Sequence, residues 1–160
     1  RECTSLPIIV MPNAGLPESV DGKTVYNVSP DEFANDMKEI AELGVSILGG
    51  CCGTTPAHIK RMIDMGVKIG FGSDAGCAFD NHGDQGFEFE LMTRYGFSPA
   101  GALLSATKVN SELLKLQNQI GTIQPGKLAD IVGFDKNPLE DISVMTECSF
   151  VMKDGEVYKS

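Results

Sequence analysis

Two adjacent cysteines, Cys51 and Cys52, are the residues of this 160-residue chain whose types and spacing most directly suggest chemistry. They lie in a glycine-rich stretch, residues 49–55, just before a predicted helix. Thiolates bind zinc well, and glycines let the end of a strand bend until both sulfurs face one metal ion. A helix N-terminus also favours the thiolate form. The pair is therefore a candidate zinc site; the alternative is a glycine turn holding two small buried residues.

Asp74 is a second candidate, because it lies between Gly72 and Gly76 directly after a predicted strand. A metal-ligating or general-base carboxylate occupies such a position, although an Asx-turn or a helix cap also places an aspartate there. His82 lies in the polar loop after this aspartate, which is typical of a solvated histidine. His58 lies in the first turn of a helix and is predicted to be at the surface.

Alternating strand and helix signals must position these residues. The run at 7–11 is apolar on both faces, which indicates a buried parallel strand, and the runs at 45–48 and 67–71 are predicted as the second and third strands. Helices are predicted at 29–44, 55–66, 87–95 and 98–114, three of them from Ser-Pro or Thr-Pro caps at their first residues. Parallel strands bind ligands beyond their carboxyl ends. Asn13, the cysteine pair and Asp74 are therefore expected on one rim.

The last forty residues have a different sequence pattern, typical of short strands and turns. Short strand-like runs at 120–123, 129–134 and 150–152 alternate with turns, and Asp154-Gly155 predicts a type I′ hairpin. The predicted fold class is α/β, a partial (β/α) barrel-like parallel sheet with a small C-terminal β appendage. Three strands cannot close a barrel, because eight are needed. Open sheet edges would remain, so we expect a homo-oligomer that pairs them.

Composition excludes several classes of partner. A formal charge of −9 argues against nucleic acid, and no apolar run reaches the roughly 18 residues that a membrane span needs. The start, residues 1–4, is not a signal peptide, and the missing initial Met suggests a fragment or a processed chain. Five cysteines without framework-like spacing favour a reducing cytoplasm, with Cys77 and Cys148 as core residues.

Residues 7–63 resemble the end of a homocysteine S-methyltransferase domain. The resemblance runs from Pro-Ile-Ile-Val-Met-Pro-Asn-Ala-Gly-Leu-Pro to Gly-Gly-Cys-Cys-Gly-Thr-Thr-Pro-Ala-His-Ile. It implies a (β/α)₈ barrel in which three cysteines hold zinc and the metal activates the homocysteine thiol. Two of those cysteines correspond to Cys51 and Cys52, and Asn13 would lie close to the metal and the substrate. The third belongs to an earlier strand, and Cys3 is too near the first strand to be its counterpart.

Residues 65–159 resemble a different family, the carboxyl end of an amidohydrolase-superfamily enzyme of the imidazolonepropionase or Xaa-Pro dipeptidase type. The resemblance rests on Phe-Gly-Ser-Asp-Ala-Gly at 71–76, His-Gly at 82–83 and Ile-Gly-Thr-Ile-Gln-Pro-Gly-Lys-Leu-Ala-Asp at 120–130. It implies a metal-loaded (β/α)₈ barrel in which Asp74 is a metal ligand and the general base for the attacking water. The family's His-x-His pair, bridging lysine and later histidines have no counterparts in this chain.

The two resemblances meet near residues 62–65 and predict a chimera-like chain with segments 1–64, 65–118 and 119–160. The leading hypothesis is a metal-dependent hydrolase of C–N (amide or peptide) bonds, incomplete as a lone chain. The alternatives are a zinc-dependent homocysteine S-methyltransferase-like fragment and an inactive metal-binding or structural remnant. Zinc is the expected metal, and the substrate is a small molecule, dipeptide-like or homocysteine. The predicted metal ligands are Cys51, Cys52 and Asp74, and the predicted substrate-binding residues are Asn13 and His82.

Overall fold

The computed structural model describes residues 8–45, 47–76 and 81–160. Its chain forms two compact units, Arg1–Ile69 and Gly70–Ser160. Cys3 and Cys77 lie outside the described residues, so the prediction that Cys77 is a core residue stays a prediction. Among the helices described, none has the length and apolar character needed to cross a bilayer. The cytoplasmic location inferred from cysteine usage also stays a prediction.

The N-terminal unit is built on two parallel strands and two helices. Strands β1 (Ile9–Val10) and β4 (Ile47–Leu48) pair in parallel, as the sequence predicts for these two runs. Helix α1 (Pro30–Glu42) begins as expected, because the Ser29 hydroxyl accepts a hydrogen bond from the Glu32 backbone N–H at 3.3 Å.

Helix α2 (Pro56–Asp64) also begins at its predicted proline, which comes directly after the N-cap residue Thr55. The two helices pack against each other around one core. The fully or nearly fully buried side chains of that core are Ala14, Phe33, Ala34, Met37 and Met62.

A hairpin that the sequence analysis did not predict lies between β1 and α1. Strands β2 (Glu18–Val20) and β3 (Lys23–Val25) are antiparallel and are joined by a two-residue turn. Asp21 and Gly22 both have positive φ, 51° and 74°, which is the type I′ conformation that Asp-Gly favours. The strands are short, largely exposed and without an apolar alternation, so the turn residues alone carried a signal in the sequence.

The C-terminal unit contains the remaining helices. Helix α3 (Gly86–Arg94) lies close to its predicted position. The helix predicted over 98–114 forms without a break but is not α-helical throughout: α4 (Pro99–Leu104) and α5 (Asn110–Leu113) are joined by a π-helical turn at Ser105–Val109. Such a turn inserts one extra residue into a helix and so rotates the side chains of the next helical turn about the axis. The apolar spacing predicts the helical segment but not this π-helical turn.

A three-stranded antiparallel sheet completes this unit, with strand order β5 (Ile131–Gly133), β6 (Phe150–Lys153) and β7 (Glu156–Lys159). A short 3₁₀ helix, Ile142–Thr146, precedes β6. The predicted Asp154-Gly155 hairpin is confirmed: φ is 51° and 82° at the two residues. The small C-terminal β region therefore forms as its turn chemistry predicts.

Two predicted strands are wrong. Residues 67–71 form no strand, because Gly70 and Phe71 instead lie against the end of the helical segment, where the Asn110 side chain donates to the Phe71 carbonyl at 2.9 Å. Residues 120–123 form turns, because local bonds replace a ladder: the Ile120 N–H bonds to Leu116 O at 3.0 Å.

The molecule is mixed α/β, as expected, but a barrel-like parallel sheet is not present in the part of the chain described. The parallel pairing there is limited to β1 and β4.

Candidate functional site

The cysteine pair is placed by a parallel ladder that continues beyond β4. The Gly49 N–H donates to Val10 O and the Cys51 N–H to Pro12 O, both at 3.0 Å. This two-residue repeat is the pattern of a parallel sheet, so the loop leaves the strand in register with the segment after β1. The sequence Gly-Gly-Cys-Cys thus puts both thiols at the carboxyl end of the sheet.

Asn13 closes the connection between the two loops. Its side-chain Oδ1 accepts a hydrogen bond from the Cys52 N–H at 3.1 Å, and the neighbouring Ala14 N–H donates to Cys52 O at 3.0 Å. The structure therefore brings Asn13 and the cysteine pair together, as their predicted positions after β1 and β4 required. Their roles toward a metal or substrate stay predictions.

The two thiols have a separation that suits one zinc ion. Their Sγ atoms are 3.9 Å apart, and both residues are exposed. Zinc bound tetrahedrally by two sulfurs at roughly 2.3 Å needs those sulfurs roughly 3.8 Å apart. The pair therefore fits two corners of a tetrahedral site and leaves the other two corners for further ligands.

Tyr26 belongs to this site and was not identified from the sequence. Its ring lies over Gly53: a Cβ at that glycine would come 2.2 Å from Tyr26 Cγ. Partial removal from water, a hydrogen bond with the Cys52 thiol and the nearby sulfur charges raise the pKa of Tyr26. No spacing rule relates Tyr26 to Cys52. The unusual feature was the glycine after the cysteines, because its lack of a side chain leaves room for the ring.

His58 is buried, so the prediction that it lies at the surface is wrong. Only 6% of its surface is exposed, and its ring meets Phe33 edge-on with the centroids 5.4 Å apart. Both ring nitrogens have partners: Nδ1 lies 3.1 Å from the Thr55 N–H nitrogen and Nε2 lies 3.0 Å from Val28 O. Occupying the third helical position of α2, His58 closes a capping box with Thr55.

In the C-terminal unit, Asp74 lies in an exposed loop with φ of 57°. The left-handed conformation is tolerated by aspartate better than by most residues. The loop is fixed upstream by Phe71, which stacks on Phe89 with ring centroids 4.5 Å apart. His82 is also exposed, and its Nε2 lies over the backbone of Gly76, 3.3 Å from where a Cβ would be. The loop residues around Asp74 and His82 are therefore brought close together.

A cavity of about 600 Å³ opens next to this loop. Ser73, directly before Asp74, contributes to its wall, together with the first turn of α3 and the segment before β6. Phe87, Leu91 and Met145 supply apolar surface, while Asp84 and Glu88 supply carboxylates. A cavity of this size and mixed lining is typical of small-molecule sites.

Within residues 8–45, 47–76 and 81–160, no three His, Cys, Asp or Glu side chains converge well enough to hold a metal ion. The cysteine pair therefore provides two ligands within its unit. The predicted participation of Asp74 in the same metal site stays a prediction.

Comparison with known proteins gives two different results for this chain. Residues 1–65 match the family model of homocysteine S-methyltransferase. The methionine synthase of Mycobacterium tuberculosis is 52% identical over 58 residues, which are 36% of this chain and 5% of that protein. Both predicted resemblances are confirmed, the first by this sequence match and the second by similarity to solved hydrolases.

A Xaa-Pro dipeptidase solved with methionine bound in its active site is 31% identical to this chain, with a TM-score of 0.61. The match covers 85% of this chain and 34% of that one. A prolidase solved with N-methylphosphonate-L-proline is 35% identical, with a TM-score of 0.59 over 65% of this chain and 26% of that one. The chain thus has sequence similarity to a methionine synthase in its N-terminal part and structural similarity to a dipeptidase and a prolidase, and it spans a minor part of each relative.

Proposed function

We propose that this chain contributes to metal-dependent hydrolysis of C–N bonds in amides or peptides, with Asp74 as the carboxylate that accepts a proton from the attacking water. The observation that carries this proposal is the position of the Asp74 loop beside the cavity of about 600 Å³. The similarity to a dipeptidase and a prolidase at 31% and 35% identity supports the same reaction class. A dipeptide-like substrate is consistent with the volume and the mixed lining of that cavity.

The residues described in the C-terminal unit do not fit a complete metal site for this reaction. A catalytic zinc usually has three protein ligands and an open position. Asp74 supplies one carboxylate, and no group of three ligands converges among the described residues. We therefore propose that the described residues hold part of a hydrolase site.

A hydrolysis assay tests this role of Asp74. Xaa-Pro dipeptides are incubated with the chain and added zinc, and release of the free amino acids is measured. Asp74→Asn keeps the shape of the side chain but removes the base, so it should lower the rate about 10²-fold or more. Asp135→Asn changes an exposed carboxylate in the same unit and should leave the rate unchanged. Equal rates in both variants would contradict the proposal, and no hydrolysis by the unmodified chain would favour the inactive remnant.

A second candidate function has its own observation, the 3.9 Å separation of the Cys51 and Cys52 sulfurs. We propose that this pair holds zinc and that the N-terminal unit binds a small thiol, such as homocysteine, beside it. Bound zinc would act as a Lewis acid that favours the thiolate of the substrate. Asn13 holds the Cys52 backbone, so it would keep the pair at the end of the sheet while the thiol enters.

Elemental analysis of protein purified under reducing conditions, without a metal-capturing tag, tests this site. About one zinc per chain is the expected result. Cys51→Ser and Cys52→Ser should each remove most of the zinc, whereas Cys148→Ser, which changes a cysteine of the other unit, should not. The same measurement on Asp74→Ala tests the predicted participation of Asp74: unchanged occupancy would restrict the site to the cysteine pair. Zinc-free folded protein would leave Cys51 and Cys52 as structural residues.

A further inference from the structure

A series of hydrogen bonds connects the cysteine loop to His58. The Cys52 carbonyl accepts from Ala14 N–H at 3.0 Å, and the Ala14 carbonyl accepts from Val28 N–H at 3.2 Å. The Val28 carbonyl lies 3.0 Å from His58 Nε2. His58 also contacts the residue that ends this loop, because its Nδ1 lies 3.1 Å from the backbone nitrogen of Thr55. Two other chain segments, those of Ala14 and Val28, are thereby connected to the segment that carries the thiols.

The partners determine which ring nitrogen of His58 carries the hydrogen. The Thr55 backbone N–H can only donate, so Nδ1 must accept. The Val28 carbonyl can only accept, so Nε2 must donate. One neutral tautomer satisfies both bonds, and each nitrogen has the role that its neighbour requires.

The ring has little freedom to leave this position. It is 6% exposed, and its edge-on contact with Phe33 connects it to the core of the unit. Moving the imidazole would open a cavity beside Phe33 and leave the Val28 carbonyl without this donor. The position of the Val28 segment, and through Ala14 that of Cys52, is therefore set from the interior.

We propose that His58 is a positioning residue for the Cys51–Cys52 pair, acting through Val28 and Ala14 to keep the two sulfurs at the spacing that one soft metal ion requires. The inference rests on the proposed zinc site of the N-terminal unit. It assigns no contact between His58 and the metal. The relevant bond is the one from Nε2 to Val28 O, which separates this role from simple capping of α2.

Two substitutions separate the contacts of Nδ1 with the Thr55 N–H and hydroxyl from the bond of Nε2 with Val28 O. His58→Asn keeps an acceptor near the place of Nδ1 for the Thr55 N–H but cannot reach Val28. His58→Gln places an N–H donor near the position of Nε2. His58→Asn should therefore weaken zinc binding about tenfold, and His58→Gln should restore most of the affinity. Met62→Ala, in the core on the same helix, is the control: it should lower the melting temperature without changing the zinc affinity.

A second readout does not depend on zinc. Phenylarsine oxide condenses with two neighbouring thiols, forming two As–S bonds and releasing water, so it reports the spacing of the pair in metal-free protein. Its affinity should fall about tenfold in His58→Asn and stay near that of the unmodified chain in His58→Gln and Met62→Ala. If the arsenical results hold but zinc does not bind, the positioning role stands and the zinc function fails. Unchanged affinities in His58→Asn, or no capture by the unmodified chain, would overturn the proposal.

Discussion

At the scale of single residues, Gly53 connects the backbone of the cysteine loop to Tyr26. Its φ of 82° is in the left-handed region, and a Cβ there would lie 2.2 Å from Tyr26 Cγ and 2.5 Å from Tyr26 Cβ. A side chain at this position therefore meets both a conformational cost and a steric one. Tyr26 would have to move away from Cys52, so this glycine couples the stability of the unit to the surroundings of the thiols.

Gly53→Ala should lower the free energy of unfolding by about 2–4 kcal/mol, from the left-handed backbone and the overpacked ring together. Gly66→Ala is a matched control, because its φ is 75° and nothing lies within 4 Å of its Cβ position. That variant should lose only about 1–2 kcal/mol, the conformational part. Urea denaturation measures both values. Equal losses would show that the tyrosine ring does not restrict this glycine.

The residue types predicted part of the candidate site, and the reason is local. Glycines and cysteines next to each other predict a loop with thiols, and Asn13 comes after a neighbouring strand, so both could be inferred from short stretches of sequence. His58 could not, because its burial depends on Phe33 and Val28, which are distant in the chain. A buried histidine and an exposed one look alike in a helix that is short and mixed in polarity.

At the scale of elements, the type I′ hairpin between β6 and β7 is reinforced by a carboxylate from outside it. Asp130 accepts from the Asp154 backbone N–H at 2.9 Å and from Lys153 Nζ at 2.9 Å. These bonds, the backbone one first, hold the pKa of Asp130 below its ordinary value of 3.8. The same carboxylate raises the pKa of Lys153 above its ordinary value of 10.5.

Because the folded pKa of Asp130 is lowered, its stabilisation is present above pH 3.8 and is lost as the pH falls through the folded value. Asp130→Asn should therefore lower the melting temperature by a few degrees at neutral pH. The difference from the unmodified chain should shrink as the pH falls below 3.8. Asp135→Asn, which changes an exposed carboxylate outside this turn, serves as the control. A difference that stays constant across the acid range would mean that the charge of Asp130 does not stabilise the turn.

Elements with local signals were predicted, whereas those that need a distant partner were not. Helices α1 and α2 begin at their Pro residues, and the Asp154-Gly155 turn forms, because caps and turn conformations depend on a few neighbouring residues. The run 67–71 was predicted as a strand, but the Val67 N–H bonds to Met62 O and the Phe71 carbonyl accepts from the Asn110 side chain, so these two groups make no ladder bonds. An apolar run becomes a strand only where another strand accepts it.

At the scale of the whole molecule, the prediction of a homo-oligomer rests on β1 and β4. Among the described residues these two strands pair only with each other, and a two-stranded sheet is marginal in water. Ile9 and Met11, on and just after β1, are each 58% exposed. An apolar strand with an unpaired edge readily pairs with another chain. We therefore expect association of copies along this edge.

Light scattering after size-exclusion chromatography should show a species larger than one chain. The double variant Ile9→Lys with Met11→Lys places charges on and just after β1, which opposes edge pairing, and should shift the protein toward the monomer. Leu139→Lys is the control, because Leu139 is 55% exposed but lies in a loop of the other unit, and it should leave the mass unchanged. A monomeric unmodified chain would contradict the prediction. Pairing at this edge should also protect the backbone amides of β1 from hydrogen exchange in the oligomer, and this protection should be absent in the lysine variant.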